Sequence, residues 1–500
     1  MDLSRKGATP AIIVIFGATG DLTSRKLLPA LYNLSYDGEL PSHFACVGFA
    51  RREKTHEMFR DEMKAGVDSH SRNKPIDPEL WPHFADHVYY HQSNFDEDEG
   101  YQRLKTFLRE LDAKHGTKGN RIFYLSTQPS YFPEIVEKLA KNGLIYPPSE
   151  TEKFSRVIIE KPFGHDLESA LSLQKNLSSH LDESQIYRID HYLGKETVQN
   201  LLTFRFLNPI YEHLWNRQFI ESIEITAAEE LSVGTRGNFW EETGLFRDMI
   251  QTHVTQLLTL ALMEPPVHFN ANGIRDEKVK VLESVRLFKE EEASNFAVRG
   301  QYGSGIVLGK EVIGYRQEDK VSPQSNVETF AAVKLFIDNW RWEGVPIYLR
   351  SGKRLTRRCT EIAITFKQPP RSISSQYHTH ASNVLVIHVQ PNEGISLNVQ
   401  SKVPNLQDAT QTTRMDFRYG STFGIAPKEA YERLILDCLC GDSTLFLRDD
   451  EVIASWRIMT PIVHHWAKVP PTDFPNYLAG SNGPDEVNRL LEPGDAWRRF

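Results

Sequence analysis

The chain has 500 residues, of which 40% are hydrophobic and 25% charged, which is ordinary for a globular protein of about two or three domains. Its net charge of −8 excludes bulk attraction to nucleic acid or to an anionic membrane. We expect no signal peptide and no membrane span, because the N-terminus is polar and no apolar run is long, so the cytoplasm is the expected compartment. The four cysteines form no disulfide framework, and Cys438 and Cys440 lie in an apolar run typical of a core.

The first predicted element is a buried strand that leads into a glycine turn. The run Ala11–Phe16 is continuously apolar, which is typical of a strand buried on both faces of a parallel sheet. Gly17 and Gly20 follow, and then a helical pattern that continues to Leu34. Strand, glycine turn and helix open a Rossmann-like unit, in which the glycines let the backbone approach a pyrophosphate. Because the standard fingerprint has three glycines and this turn has two, the alternative is a turn with a purely structural role.

The second predicted strand ends in two basic side chains. It covers Phe44–Phe49 and is followed by Arg51 and Arg52. Enzymes that use NAD usually carry an acid at this point, where it binds a ribose hydroxyl group. A guanidinium group instead suits a 2′-phosphate, so the pair favours NADP. A solvated basic pair at the end of a strand is the alternative.

Two more buried strands are predicted in this part of the chain. Arg121–Leu125 precedes the amphipathic helix Pro133–Asn142, which is capped by Gly143. The strand Val157–Glu160 runs into Lys161, which stays extended because a proline follows it. Ligands of open α/β sheets bind at the carboxyl edge of the strands, so this lysine could reach both a nicotinamide and a substrate.

The next strand-like segment, Ile186–Ile189, ends in a group of polar side chains, Asp190, His191, Tyr192 and Lys195. A helix that begins near His191 would place that histidine and Lys195 on one face. Three donors at a strand-to-helix junction suit an anion such as phosphate, whereas Asp190 is better suited to orienting a histidine. The alternative is an ordinary helix start with an acidic N-cap and solvated charges.

Beyond residue 190 the strands become longer and alternate between apolar and polar residues, which indicates an antiparallel sheet with one covered face. We therefore predict an α/β plus α+β protein, with a Rossmann-like NADP-binding domain at 1–190 and a larger domain at 191–500. The second domain is built on a mostly antiparallel sheet covered by helices. Its predicted strands are Phe219–Thr226, Val327–Asp338, Thr360–Lys367 and Val384–Val399.

A predicted helix, Leu245–Met263, carries polar residues within an apolar sequence. Asp248 and His253 are five residues apart, which is about 140° around an α-helix, so their spacing alone does not align them. A satisfied core histidine is therefore the alternative to a functional one.

Eight motifs occur in order along the chain: Gly-Ala-Thr-Gly-Asp-Leu, Val-Gly-Phe-Ala-Arg, Glu-Lys-Pro-Phe-Gly, Arg-Ile-Asp-His-Tyr-Leu-Gly-Lys-Glu, Arg-Asp-Met-Ile-Gln-Thr-His, Arg-Trp-Glu-Gly-Val-Pro, Arg-Ser-Gly-Lys and Val-Gln-Pro-Asn-Glu. With these motifs the chain, from about residue 10 to its C-terminus, resembles the glucose-6-phosphate dehydrogenase family. The nine-residue motif is the most specific of them.

This resemblance implies oxidation of D-glucose 6-phosphate at C1 to the 6-phospho-lactone with hydride transfer to NADP. It implies that His253 is the general base and that Asp190 holds its tautomer. It also implies a homodimer or homotetramer, with substrate binding and oligomerisation in the second domain and no required metal. The residues that it assigns to the substrate are Lys161, His191, Tyr192, Lys195, Glu229, Asp248, Lys353, Arg358 and Gln390. Those that it assigns to the cofactor are Gly17, Thr19, Gly20, Asp21, Leu22, Arg51 and Lys161.

Three positions depart from the family pattern. Gln128 stands where many members have a small residue or proline, and Cys359 has no readable role. His388 stands where animal members carry an arginine for a second, structural NADP, which argues against that second site. Two other functions stay open: an NADP-linked dehydrogenase of unphosphorylated sugars and a non-catalytic NADP sensor. The proposed phosphate donors argue against the first, and the pair Asp190 and His253 argues against the second.

Overall fold

Two large β-sheets, one of seven strands and one of eight, organise the computed structural model of the chain. The structure describes residues 7–369, 381–404, 409–424 and 428–499. Helices pack against both sheets, and the predicted fold class, a Rossmann-like α/β unit with a larger α+β unit, is confirmed. Among the described residues, no helix combines the length and the apolar character needed to cross a membrane.

Strands and helices follow one another along the whole described part of the chain. The strands are β1 Ala11–Phe16, β2 Phe44–Ala50, β3 Val88–Gln92, β4 Arg121–Leu125, β5 Ser155–Glu160, β6 Ile186–Ile189, β7 Ile220–Ala228, β8 Ala297–Gly300, β9 Tyr302–Gly303, β10 Gly305–Val307, β11 Lys310–Val312, β12 Phe330–Leu335, β13 Ile347–Gly352, β14 Cys359–Phe366, β15 Val384–Gln390, β16 Gly394–Lys402, β17 Thr410–Arg418, β18 Phe446–Leu447 and β19 Tyr477–Leu478. The α-helices are Leu28–Tyr36, His56–His70, Leu80–Ala85, Asp98–His115, Phe132–Lys141, Leu167–Ser178, Glu196–Leu207, Pro209–Glu212, Gly237–Leu245, Thr255–Leu262, Ala271–Glu283, Ala293–Phe296, Tyr419–Phe423, Ala430–Cys440 and Asp449–Lys468. The π-helices are Thr23–Leu27 and Phe246–Val254, and the 3₁₀ turns are Pro129–Tyr131, Glu183–Gln185, Gly234–Arg236, Glu290–Glu292, Tyr315–Gln317 and Asp485–Leu490.

The seven-stranded sheet has the order β3-β2-β1-β4-β5-β6-β18, and its first six strands are parallel. This is the strand order of dinucleotide-binding folds, in which ligands lie outside the carboxyl ends of the strands where the order reverses. All six residues of β1 are buried, because β2 and β4 flank the strand and helices cover its faces. The predicted bounds of β1, β4 and β6 are confirmed.

The eight-stranded sheet has the order β17-β16-β15-β14-β7-β13-β12-β8, and only β7 and β13 pair in parallel. The prediction of a mostly antiparallel sheet is therefore confirmed. The single strand predicted at Val384–Val399 is wrong, because Pro391, Asn392 and Glu393 interrupt it and divide it into the antiparallel pair β15 and β16. Proline supplies no amide donor to a ladder, which makes this tripeptide a place for the chain to reverse.

The C-terminal part of the chain returns to the first sheet. Helix Ala430–Cys440 lies against helix Leu28–Tyr36, where Asn33 Nδ2 donates to Glu432 Oε1 at 2.8 Å. Strand β18 then pairs antiparallel with β6. The following helix, Asp449–Lys468, packs on Leu167–Ser178. The predicted division at residue 190 stays a prediction, and the sequence did not suggest this return.

The helix predicted at Leu245–Met263 is two helices with different hydrogen bonding. Its first part, Phe246–Val254, is a π-helix, and an α-helix follows it. Glu328 Oε1 accepts the Phe246 amide at 2.9 Å. Gly244 has φ +69, and a Cβ on it would lie 2.4 Å from Glu328 Oε1, so only glycine leaves room for this carboxylate. A π-helix bonds residues five apart, so its turn aligns side chains that an α-helix would separate.

Candidate active site

A cavity of about 730 Å³ lies where the carboxyl edge of the first sheet meets one edge of the second. Its wall includes the nine residues predicted to bind substrate, together with His253 and Leu22. Asp190 is fully buried behind this wall. The residues of the predicted site therefore come together, although they are spread over more than 200 positions of the chain.

His253 and Asp190 form a buried hydrogen-bonded pair. His253 Nδ1 lies 2.5 Å from Asp190 Oδ1, and their side chains are 1% and 0% exposed. Burial alone would raise the pKa of Asp190, but His253 and the Tyr192 amide, which donates to Oδ1 at 2.9 Å, lower it. An ionised carboxylate only accepts hydrogen bonds, so Nδ1 carries the proton and Nε2 is left as the basic nitrogen.

Lys161 joins His253 to Asp248. Its Nζ lies 2.8 Å from His253 Nε2 and 2.5 Å from Asp248 Oδ1. Burial lowers the pKa of His253; Asp190 opposes this effect, and the Lys161 charge adds to it. The imidazole is therefore neutral near pH 7, with its lone pair directed at a cavity-lining ammonium group. The π-helix makes this possible, because it turns both Asp248 and His253 toward one lysine.

A second cluster lies around Lys195. Lys195 Nζ donates to Gln390 Oε1 and lies 4.1 Å from the centre of the Tyr192 ring. Arg358 donates to the same Gln390 oxygen at 3.3 Å. Burial and the Arg358 charge lower the pKa of Lys195 to about 8. Two cations that share one neutral amide oxygen leave donor capacity for an anion.

The prediction of a helix that begins near His191 is wrong, because the helix begins at Glu196. Residues 191–195 form a turn after β6. His191 and Tyr192 therefore converge through this turn, with Tyr192 stacked on His253 at 4.3 Å between ring centroids and His191 edge-on to it at 4.5 Å. The turn still brings the predicted donors to the cavity.

The ends of four strands in the second sheet supply the opposite wall. Because β7 and β13 are parallel, Glu229 and Lys353 follow them at the same edge, and Lys353 Nζ lies 2.5 Å from Glu229 Oε2. Arg358 immediately precedes β14, which is antiparallel to β7. Gln390 ends β15, opposite Thr360. Strand direction thus explains why these four distant positions share one edge.

Six of the seven residues predicted for the cofactor lie at the carboxyl ends of β1 and β2, and Lys161 follows β5. Gly17 has φ +77, and a Cβ on it would lie 2.3 Å from the Ser126 carbonyl oxygen, so the turn requires glycine. Thr19, Gly20 and Asp21 lie in the same turn, and Asp21 pairs with Arg25 at 2.7 Å. Leu22 reaches the cavity, and Arg51 is exposed at the end of β2. An open glycine turn between a cavity and an exposed guanidinium group fits NADP.

The three departures from the family pattern lie outside the cavity wall. Gln128 precedes the 3₁₀ turn after β4. Cys359 is buried, which raises the pKa of its thiol to about 11. His388 Nδ1 lies 3.4 Å from Glu361 Oε2, and Arg498 also pairs with Glu361 at 2.6 Å. Absence of the second nucleotide site stays a prediction.

Several cavity residues were not predicted from the sequence. Glu160 precedes Lys161 in the Glu-Lys-Pro triplet, a signal that could have found it. Lys353 Nζ lies 4.4 Å from the centre of the Trp240 ring, and Lys26 pairs with Glu429 at 2.7 Å. Tyr431 belongs to the C-terminal segment that returns to the first sheet, and no local pattern indicates that return. The long-range packing alone brings Tyr431 to the cavity.

Asp190, His191 and His253 are also the one group of potential metal ligands among the described residues, with donor atoms within 4.8 Å of one another. Both ring nitrogens of His253 already have partners, Asp190 on one side and Lys161 on the other. An ammonium group at Nε2 would repel a cation there. The donor set therefore suits proton transfer better than metal binding.

Comparison with known proteins covers nearly the whole chain. The family model described as the glucose-6-phosphate dehydrogenase NAD binding domain matches residues 14–200, and that of the C-terminal domain matches residues 202–498. The chain is similar to the glucose-6-phosphate 1-dehydrogenase of Chlamydia muridarum, at 48% identity over 98% of this chain and 97% of the relative. That of Bacillus subtilis is 43% identical over 96% of each chain.

Solved structures agree with these relatives. One is described as glucose-6-phosphate dehydrogenase in complex with its substrate glucose-6-phosphate, with a TM-score of 0.88 and 36% identity over 99% of this chain and 100% of that chain. Another, glucose-6-phosphate 1-dehydrogenase from Mycobacterium avium, has a TM-score of 0.83 and 32% identity over 99% of each chain. The chain therefore belongs to the glucose-6-phosphate dehydrogenase family.

Proposed function

We propose that the cavity binds D-glucose 6-phosphate beside NADP and that His253 is the base of its oxidation. As a member of its family, the chain oxidises D-glucose 6-phosphate at C1 to 6-phospho-D-glucono-1,5-lactone, the first oxidative step of the pentose phosphate pathway, and NADP accepts the hydride. One observation carries the assignment of the base: neutral His253 lines the cavity and has its Nδ1 held 2.5 Å from buried Asp190.

In the proposed reaction, Nε2 of His253 takes the proton of the C1 hydroxyl group as the C1 carbonyl forms. Asp190 stays ionised and stabilises the imidazolium that results, without taking its proton. Lys161 contacts Nε2 at 2.8 Å before substrate binds, so the C1 hydroxyl replaces this contact and Lys161 keeps its ion pair with Asp248. This arrangement holds the base neutral until the substrate arrives.

We assign the two ends of the substrate to the two clusters of the cavity. The phosphate group is bound by His191, Tyr192 and Lys195, with Arg358 and Gln390 beside them. We assign it to this cluster because the cluster has more hydrogen-bond donors than acceptors. Glu229, Asp248, Lys353 and Lys161 bind the sugar hydroxyl groups, because their mixture of acids and lysines can accept and donate.

We assign the cofactor to the carboxyl edge of the first sheet. The turn at Gly17, Thr19, Gly20, Asp21 and Leu22 holds the pyrophosphate through backbone amides, and Arg51 binds the 2′-phosphate. In this proposal residues 1–190 form the cofactor unit, from which Lys161 also reaches the substrate. Residues 191–500 supply the other substrate ligands and form the homodimer or homotetramer. Four free cysteines support the cytoplasm as the compartment.

A spectrophotometric assay of NADP reduction tests this function. We expect reduction with glucose 6-phosphate and much slower reduction with free glucose. Equal rates with the two sugars would instead indicate a dehydrogenase of unphosphorylated sugars. Binding of NADP without reduction by any sugar phosphate would indicate a sensor.

Replacement of Lys195 by alanine is expected to raise the KM for glucose 6-phosphate by about 10- to 100-fold. A hydrogen bond to a charged group contributes about 1.5–3 kcal/mol, and about 1.4 kcal/mol is tenfold in affinity. Activity with free glucose should change little, because the lost partner is the phosphate group. The measurement is KM and kcat for both sugars.

Lys310→Ala is the matched control, since this lysine is exposed on β11. In the wild type, the pKa of about 8 for Lys195 predicts that the KM rises above pH 8, where the ammonium loses its proton. Lys195→Ala should lack that rise. Equal losses of activity with glucose 6-phosphate and with free glucose would contradict a phosphate-specific role of Lys195.

Arg51→Ala is expected to lower the preference for NADP over NAD by about 10- to 100-fold. The guanidinium group makes a charge-assisted contact of about 1.5–3 kcal/mol with the 2′-phosphate, which NAD lacks. The measurement is the ratio of kcat/KM for the two cofactors. Arg52→Ala is the control, with a smaller effect. An unchanged ratio in Arg51→Ala would mean that another residue binds the 2′-phosphate.

A further inference from the structure

Trp240 is a cavity residue to which the proposed reaction gives no role. Its side chain is only 1% exposed, and it forms part of the cavity wall. Lys353 Nζ lies over its ring, 4.4 Å from the centre, and the same ammonium group pairs with Glu229 Oε2 at 2.5 Å. An aromatic face and a carboxylate therefore share one buried cation.

The indole N–H group does not account for a tryptophan at this position. Trp240 Nε1 is buried and has no hydrogen-bond partner among the residues that the structure describes. A buried polar group without a partner destabilises a fold, and phenylalanine would fill much of the same space without such a group. The ring face does account for it, because indole attracts a cation more strongly than a phenyl ring does, above all where water is excluded. The contact with Lys353 is therefore the interaction that favours tryptophan.

The helix that carries Trp240, Gly237–Leu245, is anchored by the segment between β11 and β12. A Cβ on the first residue of the helix would lie 2.1 Å from a carbonyl oxygen of that segment, so the two backbones are in direct contact. The neighbouring Glu241 accepts the Tyr315 hydroxyl at 2.7 Å and the Ser325 hydroxyl at 2.6 Å through Oε1. The indole ring is therefore held in place by contacts that do not depend on the lysine.

The backbone of Lys353 is also fixed, so the direction of its ammonium group depends on the side chains around it. The Lys353 amide donates to the Thr329 carbonyl oxygen at 2.9 Å, and its carbonyl oxygen accepts the Tyr477 hydroxyl at 2.8 Å. An ammonium group has three N–H donors. Glu229 accepts from one side and the indole ring covers another, which leaves donor capacity for a hydroxyl group in the cavity.

We propose that Trp240 is a positioning residue that holds the Lys353 ammonium group against the sugar end of the cavity through its ring face. This inference rests on the proposed function, in which Lys353 binds a sugar hydroxyl group. Trp240 acts through the lysine and contributes no hydrogen bond of its own. Without the ring, the ammonium group has only Glu229 to fix its direction, so part of its contact with the sugar is lost.

The test compares Trp240→Phe and Trp240→Leu in the full chain. Phenylalanine and leucine have similar volumes, but only phenylalanine keeps an aromatic face. We expect Trp240→Leu to raise the KM for glucose 6-phosphate about 10- to 30-fold and Trp240→Phe to raise it about threefold. The kcat of both variants should stay within about threefold of wild type, because the ring does not contact the base.

Two further measurements separate this role from a general loss of packing. Because the contact lies at the sugar end, Trp240→Leu should lower kcat/KM by the same factor for glucose 6-phosphate and for free glucose, unlike Lys195→Ala. In a Lys353→Met background, which keeps the chain length but removes the charge, Trp240→Leu should lower kcat/KM by no more than about twofold further.

Trp342→Phe is the matched control, since Trp342 is 0% exposed, lies outside the cavity wall and donates from Nε1 to the Leu262 carbonyl oxygen at 2.8 Å. It should lower the Tm and leave the KM unchanged. An unchanged KM in Trp240→Leu, equal KM values in Trp240→Leu and Trp240→Phe, or a full further loss in the Lys353→Met background would overturn the proposal. Failure of the wild type to oxidise glucose 6-phosphate would overturn the proposed function as well, so the two failures are distinguishable.

Discussion

Replacement of His253 by asparagine is expected to lower kcat for glucose 6-phosphate by about 10²–10⁴, the usual contribution of a general base, with little change in KM. Asparagine keeps a polar group near Asp190 but has no basic nitrogen at the position of Nε2. The proton of the C1 hydroxyl group then has no acceptor on the protein. Steady-state kcat and KM at saturating NADP measure the effect.

His464→Asn is the control for this change, because His464 is exposed on helix Asp449–Lys468 and lies outside the cavity wall. It should leave kcat and KM unchanged. Near wild-type turnover in His253→Asn would contradict the assignment of the base. A rise in KM with unchanged kcat would instead make His253 a substrate ligand.

Asp190→Asn is expected to lower kcat by a similar factor of about 10²–10⁴, because it reverses the tautomer of the base. The carboxylate accepts the Nδ1 proton at 2.5 Å. An amide NH₂ group in that place donates to Nδ1, so the proton moves to Nε2 and the base is blocked. The amide also cannot stabilise the imidazolium. The measurement is kcat across pH, with folding checked by Tm.

Asp61→Asn, on an exposed position of helix His56–His70, serves as the control and should be neutral. An effect of Asp190→Asn confined to KM would contradict the orienting role. Because His253 and Asp190 act as one unit, the double variant should lose no more than about what the worse single variant loses.

The regular parts of the fold were predictable from short-range pattern. The bounds of β1 followed from an uninterrupted apolar run, since a strand buried on both faces needs no alternation. Those of β4 and β6 followed from mainly apolar segments that each contain one arginine. The position of Lys161 at the sheet edge followed from the proline after it. The glycine turn was also predictable, because the spacing of its two glycines is a local property of the sequence.

Other features depend on interactions that the pattern does not contain. Hydrophobic periodicity gives the face of a helix but not whether it bonds four or five residues back, so the pairing of Asp248 and His253 with Lys161 was missed. The turn at His191 looked like the start of a helix, because polar residues are common both in turns and at helix starts. The place of Tyr431 depends on contacts more than 200 positions away, such as that with His191, and no local signal encodes them.

The late strand β18 has a consequence for synthesis of the protein. Its partner β6 leaves the ribosome about 250 residues earlier, which is roughly 12–50 s at 5–20 residues per second. During that interval the nascent sheet has an unpaired outer strand, and unpaired strands recruit other chains. We therefore expect the yield of folded protein to depend on chaperone supply during translation, and a chain that stops before residue 446 to aggregate.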